Sequence, residues 1–499
     1  MSQRSGVDLH VLVFFLCFFF LFSSGRIASM DAGQQLQASV LLAVSGELSD
    51  EGRGSGPSNE GWVQAPNKRF YQAHDIGNVV LMLPAAWLGA RLSAAPAAAD
   101  VLDPPPLSRA GASLACAALA ALGCFWMFRL LALSWPARIA FVLAVLFPTT
   151  TILIAYARAA WDVLGGCALM CGVLYYSAAV LREQRPERSA VMLAVTTAVA
   201  CSFRFSLAPF VPPAACVILL IARSRISLRT ALLSAASFWL LILPSLAYNF
   251  VRTGSPIRPA TASDQYLHGA NALTGSILHG LYGLFLSPNR SLFLFSPVLV
   301  VSLIAIARWR TLTPEQRQLL AVYGAAAFAY ALLIAKMANW GAFGWGPRYL
   351  LPILPVVFLA TAHGLVWLWR ASRPAAIALT LISAAVTLPA SVVNWHLATT
   401  SFAHADDAEA GRPYQVRAGW MALVSGLRGR ALPVPPNAAH DALRATTSDF
   451  PDLFLVRMAA MSRMGLLAAT VGGAGALLLG FASAARVLRI SSAVDLRDA

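Results

Sequence analysis

The feature that most constrains this chain is a succession of long apolar segments that follow one another along most of its length. A helix of about 20 apolar residues crosses the hydrocarbon of a bilayer, and only 12% of the residues here are charged, against about 25% in soluble domains. The pattern predicts an all-α polytopic membrane protein with about 12 transmembrane helices and no large soluble domain. The predicted spans are 8–24, 110–131, 139–156, 163–181, 189–222 (two short helices), 231–250, 293–307, 318–337, 349–369, 374–394 and 464–485.

The net charge of +15 could be taken as a sign of nucleic-acid binding. However, the arginines lie in short loops between apolar segments, as the positive-inside rule describes, and no compact basic domain is present. We therefore predict that this chain is embedded in membrane lipids and does not bind a nucleic acid.

The long apolar stretch 189–222 is interrupted by Arg204 and by Pro209, Pro212 and Pro213. Proline breaks helices, and broken backbone at membrane depth is tolerated where it lines a cavity. An arginine in hydrocarbon is costly, so we expect Arg204 to face such a cavity or a lipid headgroup and to contribute to substrate binding.

Residues 78–94 form a short apolar segment that contains Pro84 and Arg91. If this segment crossed the membrane, the arginine-rich turns 182–188 and 223–229 would lie outside the cell. If it lies in the interface or re-enters, six arginine-bearing turns face the cytoplasm without exception among the short loops. We therefore predict an interfacial or re-entrant segment within a first outer loop, residues 25–109.

This orientation defines three regions of the chain. Residues 1–395 form a transmembrane module, residues 396–463 an outer-face loop or cap, and residues 464–499 the last transmembrane helix with a cytoplasmic tail. The longest loops, which carry most of the unusual polar residues, then share the periplasmic or extracellular side of the cell (inner) membrane. Function concentrates in such loops on a rigid scaffold.

Two aspartates on that face are candidate catalytic residues. Asp31 lies just past the first apolar segment, where a carboxylate can act on a substrate whose tail is in the bilayer and whose reacting end is in water. Asp162 opens a later segment, four residues after Arg158. The structural alternatives are a solvated loop aspartate for Asp31 and a helix cap or a pair with Arg158 for Asp162.

Arg348 and Tyr349 follow a Trp345-Gly346-Pro347 turn and open an apolar segment. An arginine at a helix start is suited to anchoring a phosphate, although snorkelling to the interface is common there. The spatial hypothesis is that Asp31, Asp162 and Arg348 converge around one hollow. The other predicted substrate-binding residues of this face are Tyr349, Arg158, Arg204, Arg290, His74 and Asn249.

The sequence indicates no certain cofactor. His74 and Asp75 together with Asp31 leave a divalent metal open as an alternative, because carboxylates and imidazoles are metal ligands. No phosphate-binding glycine loop, zinc-protease motif or serine-hydrolase elbow occurs in the sequence.

Several blocks together resemble the polytopic glycosyltransferases of the GT-C class, especially the bacterial protein mannosyltransferases and aminoarabinose lipid A transferases. The resemblance depends on both the pattern and the order of the blocks. They are Ser29-Met30-Asp31, Phe70-Tyr71 with Ile76-Gly77 and Pro84, Tyr156 with Arg158 and Asp162, Tyr248-Asn249 with Gly254-Ser255-Pro256, Ser287-Pro288-Asn289-Arg290 with Ser296-Pro297, and Gly346-Pro347-Arg348-Tyr349 with Pro352.

The resemblance implies transfer of a sugar from a polyprenyl-phosphate-linked donor to an acceptor hydroxyl on the outer face. The acceptor would be a glycan, a lipid or a protein. The role of the first-loop acid, a general base or an acceptor-positioning group, carries over to Asp31, that of the second-loop acid to Asp162, and the phosphate contact to Arg348. Two alternatives stay open: a lipid or glycan transporter (flippase), and a non-catalytic assembly subunit with the same fold.

Overall fold

The computed structural model describes residues 2–27, 30–51, 61–92, 104–158, 161–182, 186–221, 224–262, 273–288, 290–338, 340–341, 345–394, 414–430 and 450–495. Its helices are α1 Ser2–Phe22, α2 Met30–Ser45, α3 Ile76–Leu92, α4 Pro106–Leu131, α5 Ala137–Thr149, α6 Leu153–Ala157, α7 Asp162–Arg182, α8 Glu187–Phe203, α9 Val211–Cys216, α10 Leu228–Thr253, α11 Ile277–Phe285, α12 Leu292–Phe295, α13 Ser302–Ala307, α14 Pro314–Ala335, α15 Leu354–Ala371, α16 Arg373–Val392, α17 Tyr414–Leu427, α18 Phe454–Met461 and α19 Arg463–Asp495.

Seven helical segments of the described residues are long and apolar enough to cross a membrane, and shorter apolar helices accompany them. They correspond to all or most of α4, α7, α10, α14, α15, α16 and α19. Their outward faces are apolar: Leu240 on α10 is 72% exposed and Phe481 on α19 is 73% exposed. Large exposed apolar surfaces are rare on soluble proteins. The predicted α-helical membrane protein is therefore confirmed, while the number of about 12 crossings stays a prediction.

The expected break at Arg204 is confirmed. Helix α8 ends at Phe203, and Arg204 has an extended backbone with φ −156° and ψ 103°. A 3₁₀ turn, Phe205–Phe210, follows and leads into α9, which has prolines at its start. The prolines and the extended residue together keep this stretch from forming one continuous helix.

One end of the helix bundle is marked by Asp8 in α1, and we call it the Asp8 end. Arg129, in the last turn of α4, binds Asp8 at 2.7 Å. Arg182, at the end of α7, donates to the carbonyl of Leu133, just beyond α4. The arginine-bearing turns after α4 and α7 therefore lie together at this end.

The opposite end carries Asp31, and we call it the Asp31 end. Helix α8 begins near Arg182, at the Asp8 end, so its last residue, Phe203, lies at the Asp31 end. Helix α4 ends near Leu133, also at the Asp8 end, so its first residue, Pro106, lies at the Asp31 end. Helix α3 touches both: Gly77 packs against the Phe203 backbone, and Ser108 near the start of α4 donates to the carbonyl of Ala86 at 3.5 Å. Both parts of α3 therefore lie at the Asp31 end of the bundle.

A small antiparallel sheet interrupts the helical pattern within residues 25–109. Its strands are β1 Ser49–Asp50, β2 Trp62–Gln64 and β3 Phe70–Gln72, in the order β1–β3–β2, with both Ser49 and Val63 opposite Tyr71. The all-α expectation omits this sheet, because strands of two or three residues are too short to show an alternating pattern. The sheet leads directly into His74.

The predicted cap, residues 396–463, contains α17 and α18 in its described parts, and the rest lies outside the described residues. Gln415 of α17 accepts the backbone N–H of Gly346 at 2.9 Å. This segment therefore packs directly on the turn that carries Arg348.

Candidate active site

Asp31 lies in the first turn of α2, where the positive end of the helix dipole favours a carboxylate. Its Oδ2 accepts an N–H from Arg348 at 3.0 Å, and its Oδ1 lies 3.3 Å from Nε2 of His74. The three residues are 6%, 9% and 8% exposed, respectively. The structure therefore joins Asp31 to Arg348, as the sequence predicts, and adds His74 to the pair.

The environment of Asp31 acts on its pKa in opposite directions. Burial raises the pKa of the carboxyl, whereas the neighbouring His74 and the Arg348 guanidinium lower it by charge and by hydrogen bonding. The net pKa of Asp31 lies well below its usual range. The side chain is therefore a carboxylate at neutral pH.

Arg348 is held by aromatic rings as well as by Asp31. It begins a 3₁₀ turn after Gly346, which has φ +68°, and its guanidinium carbon lies 5.0 Å from the ring centre of Tyr349 and 5.6 Å from that of Trp161. Such cation–π contacts stabilise a poorly hydrated guanidinium. Trp161 immediately precedes Asp162, so the start of α7 lies close to Arg348; the side chain of Asp162 lies outside the described residues.

A cavity of about 350 Å³ adjoins this cluster. Its polar wall includes Gln35, His74, Asp75, Arg204 and Tyr349. His74 and Tyr349 belong both to this wall and to the contacts of Asp31 and Arg348. The remaining wall is mostly apolar and includes Phe203, Phe205, Ile257, Pro259, Leu273, Leu333, Ile334 and Met337. The cavity is therefore lined by both charged and apolar side chains, as sites for amphiphilic ligands require.

Arg204 enters the cavity from the break after α8. Its guanidinium carbon lies 4.7 Å from the ring centre of Tyr349, and its Nε donates to the hydroxyl of Ser206 at 3.1 Å. The backbone N–H of Phe205 donates to Asp75 at 2.8 Å, which fixes the broken segment against the first loop. The predicted cavity position of Arg204 is therefore confirmed.

Arg252 is a buried residue of this site that sequence reasoning missed. It donates to the carbonyls of Gln72 and His74, at 2.9 Å and 2.6 Å, and thereby holds the backbone on which His74 is carried. Asn249, one turn earlier on α10, accepts from Arg252. Asn249 thus reaches the site through Arg252. The sequence signal that could have identified Arg252 is its spacing of three residues from Asn249 near the end of a helix, which places the two side chains next to each other.

Arg158 and Arg290 take other positions. Arg158 binds Asp452 at 3.0 Å and donates to the carbonyl of Val393, and Arg26 binds the other oxygen of Asp452, also at 3.0 Å. Arg290 donates to the carbonyl of Gly341. In the described part of the chain, neither Arg158 nor Arg290 lines the cavity.

Among the residues that the structure describes, no group of three or more His, Cys, Asp and Glu side chains converges on a point that could hold a metal. Asp75 does not complete such a group with Asp31 and His74. It faces the backbone of Phe205 and lies 3.9 Å from Arg252. Burial raises the pKa of the Asp75 carboxyl, and Arg252 opposes that rise.

No family model matches this chain, and a search of curated proteins finds no match. Solved structures do resemble it. The chain is similar over 98% of its length to ArnT from Cupriavidus metallidurans bound to undecaprenyl phosphate, at 16% identity and a TM-score of 0.48, covering 77% of that chain. It is similar over 95% of its length to the archaeal oligosaccharyltransferase AglB from Archaeoglobus fulgidus, in complex with an inhibitory peptide and a dolichol-phosphate.

The AglB comparison has 12% identity and a TM-score of 0.46, and the chain spans 59% of AglB. ArnT and AglB are GT-C membrane glycosyltransferases, and the structural similarity extends over nearly the whole chain. At these identities the likeness concerns the fold.

Proposed function

We propose that this protein is a membrane glycosyltransferase that moves a sugar from a polyprenyl-phosphate-linked donor to an acceptor hydroxyl. The observation that carries the proposal is the buried Asp31 carboxylate, paired with Arg348 and His74 beside a cavity lined by both polar and apolar side chains. A carboxylate, a phosphate-binding cation and an apolar compartment are what transfer from a lipid-linked sugar needs.

The cavity suggests how the donor lies. Its prenyl chain contacts the apolar wall near Ile257, Leu333 and Met337, and its phosphate meets Arg204, the arginine that lines the cavity. Arg348, which donates a hydrogen bond to the Tyr349 hydroxyl, is the second cation for that phosphate. This donor belongs to the same chemical class as the undecaprenyl phosphate bound to ArnT.

The reaction proceeds by attack of the acceptor hydroxyl oxygen on the anomeric carbon of the sugar. A new carbon–oxygen bond forms there, while the bond between the anomeric carbon and the phosphate oxygen breaks. The hydroxyl proton passes to the Asp31 carboxylate, and polyprenyl phosphate leaves with its charge stabilised by the arginines.

The pairing of Asp31 with Arg348 sets the strength of the base. A carboxylate with a strongly lowered pKa is a weak proton acceptor. When the donor phosphate attracts Arg348, the carboxylate loses part of that stabilisation and becomes more basic. Donor binding thus prepares Asp31 to accept the proton.

The other predicted site residues take supporting roles. Asp162 is the second acidic group of the mechanism, because it follows Trp161, whose ring contacts Arg348. Asn249 orients Arg252 and through it the His74 backbone, whereas Arg158 and Arg290 hold the chain segments around the site. A divalent metal, if required, would have to be held in part by the donor phosphate.

We place the Asp31 end on the periplasmic or extracellular side of the cell membrane, with α3 in the interface. Arg129 and Arg182 share the Asp8 end, which the positive-inside rule assigns to the cytoplasm. A Ser45→Cys variant tests this orientation, because Ser45 is exposed at the end of α2. In intact cells it should react with a membrane-impermeant maleimide, and labelling only after lysis would reverse the orientation.

The activity is tested with the full-length protein in nanodiscs, undecaprenyl-phosphoryl sugars with a labelled headgroup, and membranes of the source organism as the acceptor pool. We expect labelled product from the native protein and at least a 100-fold loss of rate in Asp31→Asn, since general bases contribute about 10²–10⁴-fold.

Asp8→Asn is the matched control, because it makes the same change at the other end of the bundle, and its rate should stay close to that of the native protein. Normal turnover in Asp31→Asn would remove Asp31 from the mechanism. Passage of labelled lipid across the bilayer without a new glycosidic bond would favour the flippase alternative.

A further inference from the structure

Gln35 is a buried polar residue that the mechanism above does not use. It lies on α2, is 1% exposed and lines the cavity. Its amide oxygen has no hydrogen-bond partner among the described residues. A buried amide without partners is unfavourable, so such a group in a cavity wall calls for a ligand.

Gln35 is the middle one of three polar residues that lie one turn apart on the same face of α2. Asp31, one turn earlier, is bound by Arg348 and His74. Ser39, one turn later, donates to the carbonyls of Gln35 and Val79, at 2.8 Å and 2.9 Å. The described residues therefore provide partners for the side chains on either side of Gln35 but none for its amide oxygen.

The chemistry of an amide limits what the ligand can be. A carboxamide offers an N–H donor and a carbonyl acceptor and carries no charge, so it suits a hydroxyl group, which can also donate and accept. This match does not depend on which way the amide is turned. A phosphate, which only accepts, is better met by the guanidinium of Arg204.

We propose that Gln35 binds a ring hydroxyl of the donor sugar and so contributes to the choice of sugar, an inference that rests on the proposed glycosyltransferase function. Four residues of helix separate Gln35 from Asp31 by about 6 Å along the axis, on the same face. A sugar held by Gln35 and by a phosphate at Arg204 therefore lies beside the carboxylate that deprotonates the acceptor.

The test measures binding of lipids to the full-length protein in nanodiscs. The probes are undecaprenyl phosphate and undecaprenyl phosphate that carries mannose, glucose, N-acetylglucosamine or arabinose. We expect the native protein to bind at least one sugar-bearing lipid about 10-fold more tightly than undecaprenyl phosphate. Gln35→Leu should abolish that preference and leave the affinity for undecaprenyl phosphate unchanged.

Gln34→Leu is the matched control, because Gln34 is the adjacent buried glutamine and does not line the cavity in the described part of the chain. This variant should keep the preference for the sugar-bearing lipid. Gln35→Leu should also raise the thermal midpoint of the ligand-free protein, because a buried amide oxygen that has no partner among the described residues is replaced by an apolar group. A purely structural glutamine would show a fall instead.

The outcomes separate the two proposals. If the native protein binds none of the five lipids, the proposed function fails and the role of Gln35 fails with it. If it binds undecaprenyl phosphate but gains nothing from any sugar, or if Gln35→Leu weakens all five lipids equally, the role of Gln35 is overturned while the proposed donor class stands.

Discussion

The buried carboxylates of Asp31 and Asp452 are both bound by arginine at the Asp31 end of the molecule, but they differ in what surrounds them. Arg348–Asp31 and Arg158–Asp452 both measure 3.0 Å. The Asp452 cluster is closed by protein, because Arg26 binds the second oxygen and Arg158 also donates to backbone carbonyls.

The Asp31 cluster instead reaches a cavity through His74 and Tyr349. The same chemical pair thus fastens chain segments in one place and borders a cavity in the other. What distinguishes the two pairs is their access to that cavity.

The largest expected effect concerns the closed cluster. Asp452→Ala leaves the buried side chains of Arg26 and Arg158 without their shared carboxylate, and breaking a buried pair costs about 3–5 kcal/mol. We expect a strongly lowered thermal midpoint or a failure to accumulate in the membrane. A folded, stable Asp452→Ala protein that loses only activity would show that this cluster, too, belongs to the site.

The next effect concerns the cavity. Arg204→Gln should weaken the binding of undecaprenyl phosphate by about 10- to 100-fold, because a charge-assisted hydrogen bond contributes about 1.5–3 kcal/mol. Binding is measured in nanodiscs, with Arg129→Gln as the control, since Arg129 lies at the Asp8 end. Equal affinity of the Arg204→Gln and native proteins for undecaprenyl phosphate would show that Arg204 does not bind the phosphate.

A third prediction uses pH. The pKa of Asp31 is lower in the folded protein than the value of about 3.9 in an unfolded chain. The carboxylate therefore contributes stability that is present above about pH 4 and lost as the pH falls through the folded-state pKa. The native protein should exceed Asp31→Asn in thermal midpoint by an amount that does not decrease from pH 8 to pH 5, because protonation of His74 in this interval adds to its attraction for the carboxylate. A difference that closes within that interval would contradict the lowered pKa.

The smallest effect is expected at the other end of the bundle. Asp8 and Arg129 form a pair whose side chains are 26% and 36% exposed, respectively. Pairs of this kind contribute about 0–1 kcal/mol. Asp8→Ala should therefore change the thermal midpoint only slightly. A fall in thermal midpoint as large as that of Asp452→Ala would mean that exposure of an ion pair does not determine its contribution to stability.

The sequence predicted the membrane class, the break at Arg204 and the meeting of Asp31 with Arg348. These predictions depend on features that apolar length, proline and arginine placement express directly along the chain. The partner of Arg158 was not predictable in the same way. A pair with Asp162 and substrate binding were the alternatives for this arginine, and its actual partner, Asp452, lies in a loop far along the chain.

Arg252 and Gln35 were missed for a related reason. An arginine at the end of an apolar helix resembles one that snorkels to the interface, and only its contacts with the Gln72 and His74 carbonyls show otherwise. Gln35 follows another glutamine, Gln34, and nothing in the local pattern separates the two. The fold decides which of them faces the cavity.

The Asp31–Arg348 contact joins residues that are 317 positions apart. During synthesis, Asp31 therefore emerges long before the ribosome has made Arg348. A chain interrupted anywhere before Arg348 would contain the Asp31 carboxylate without the guanidinium that balances it. Under the proposed function, an incomplete chain therefore could not transfer sugar before Arg348 has been synthesised.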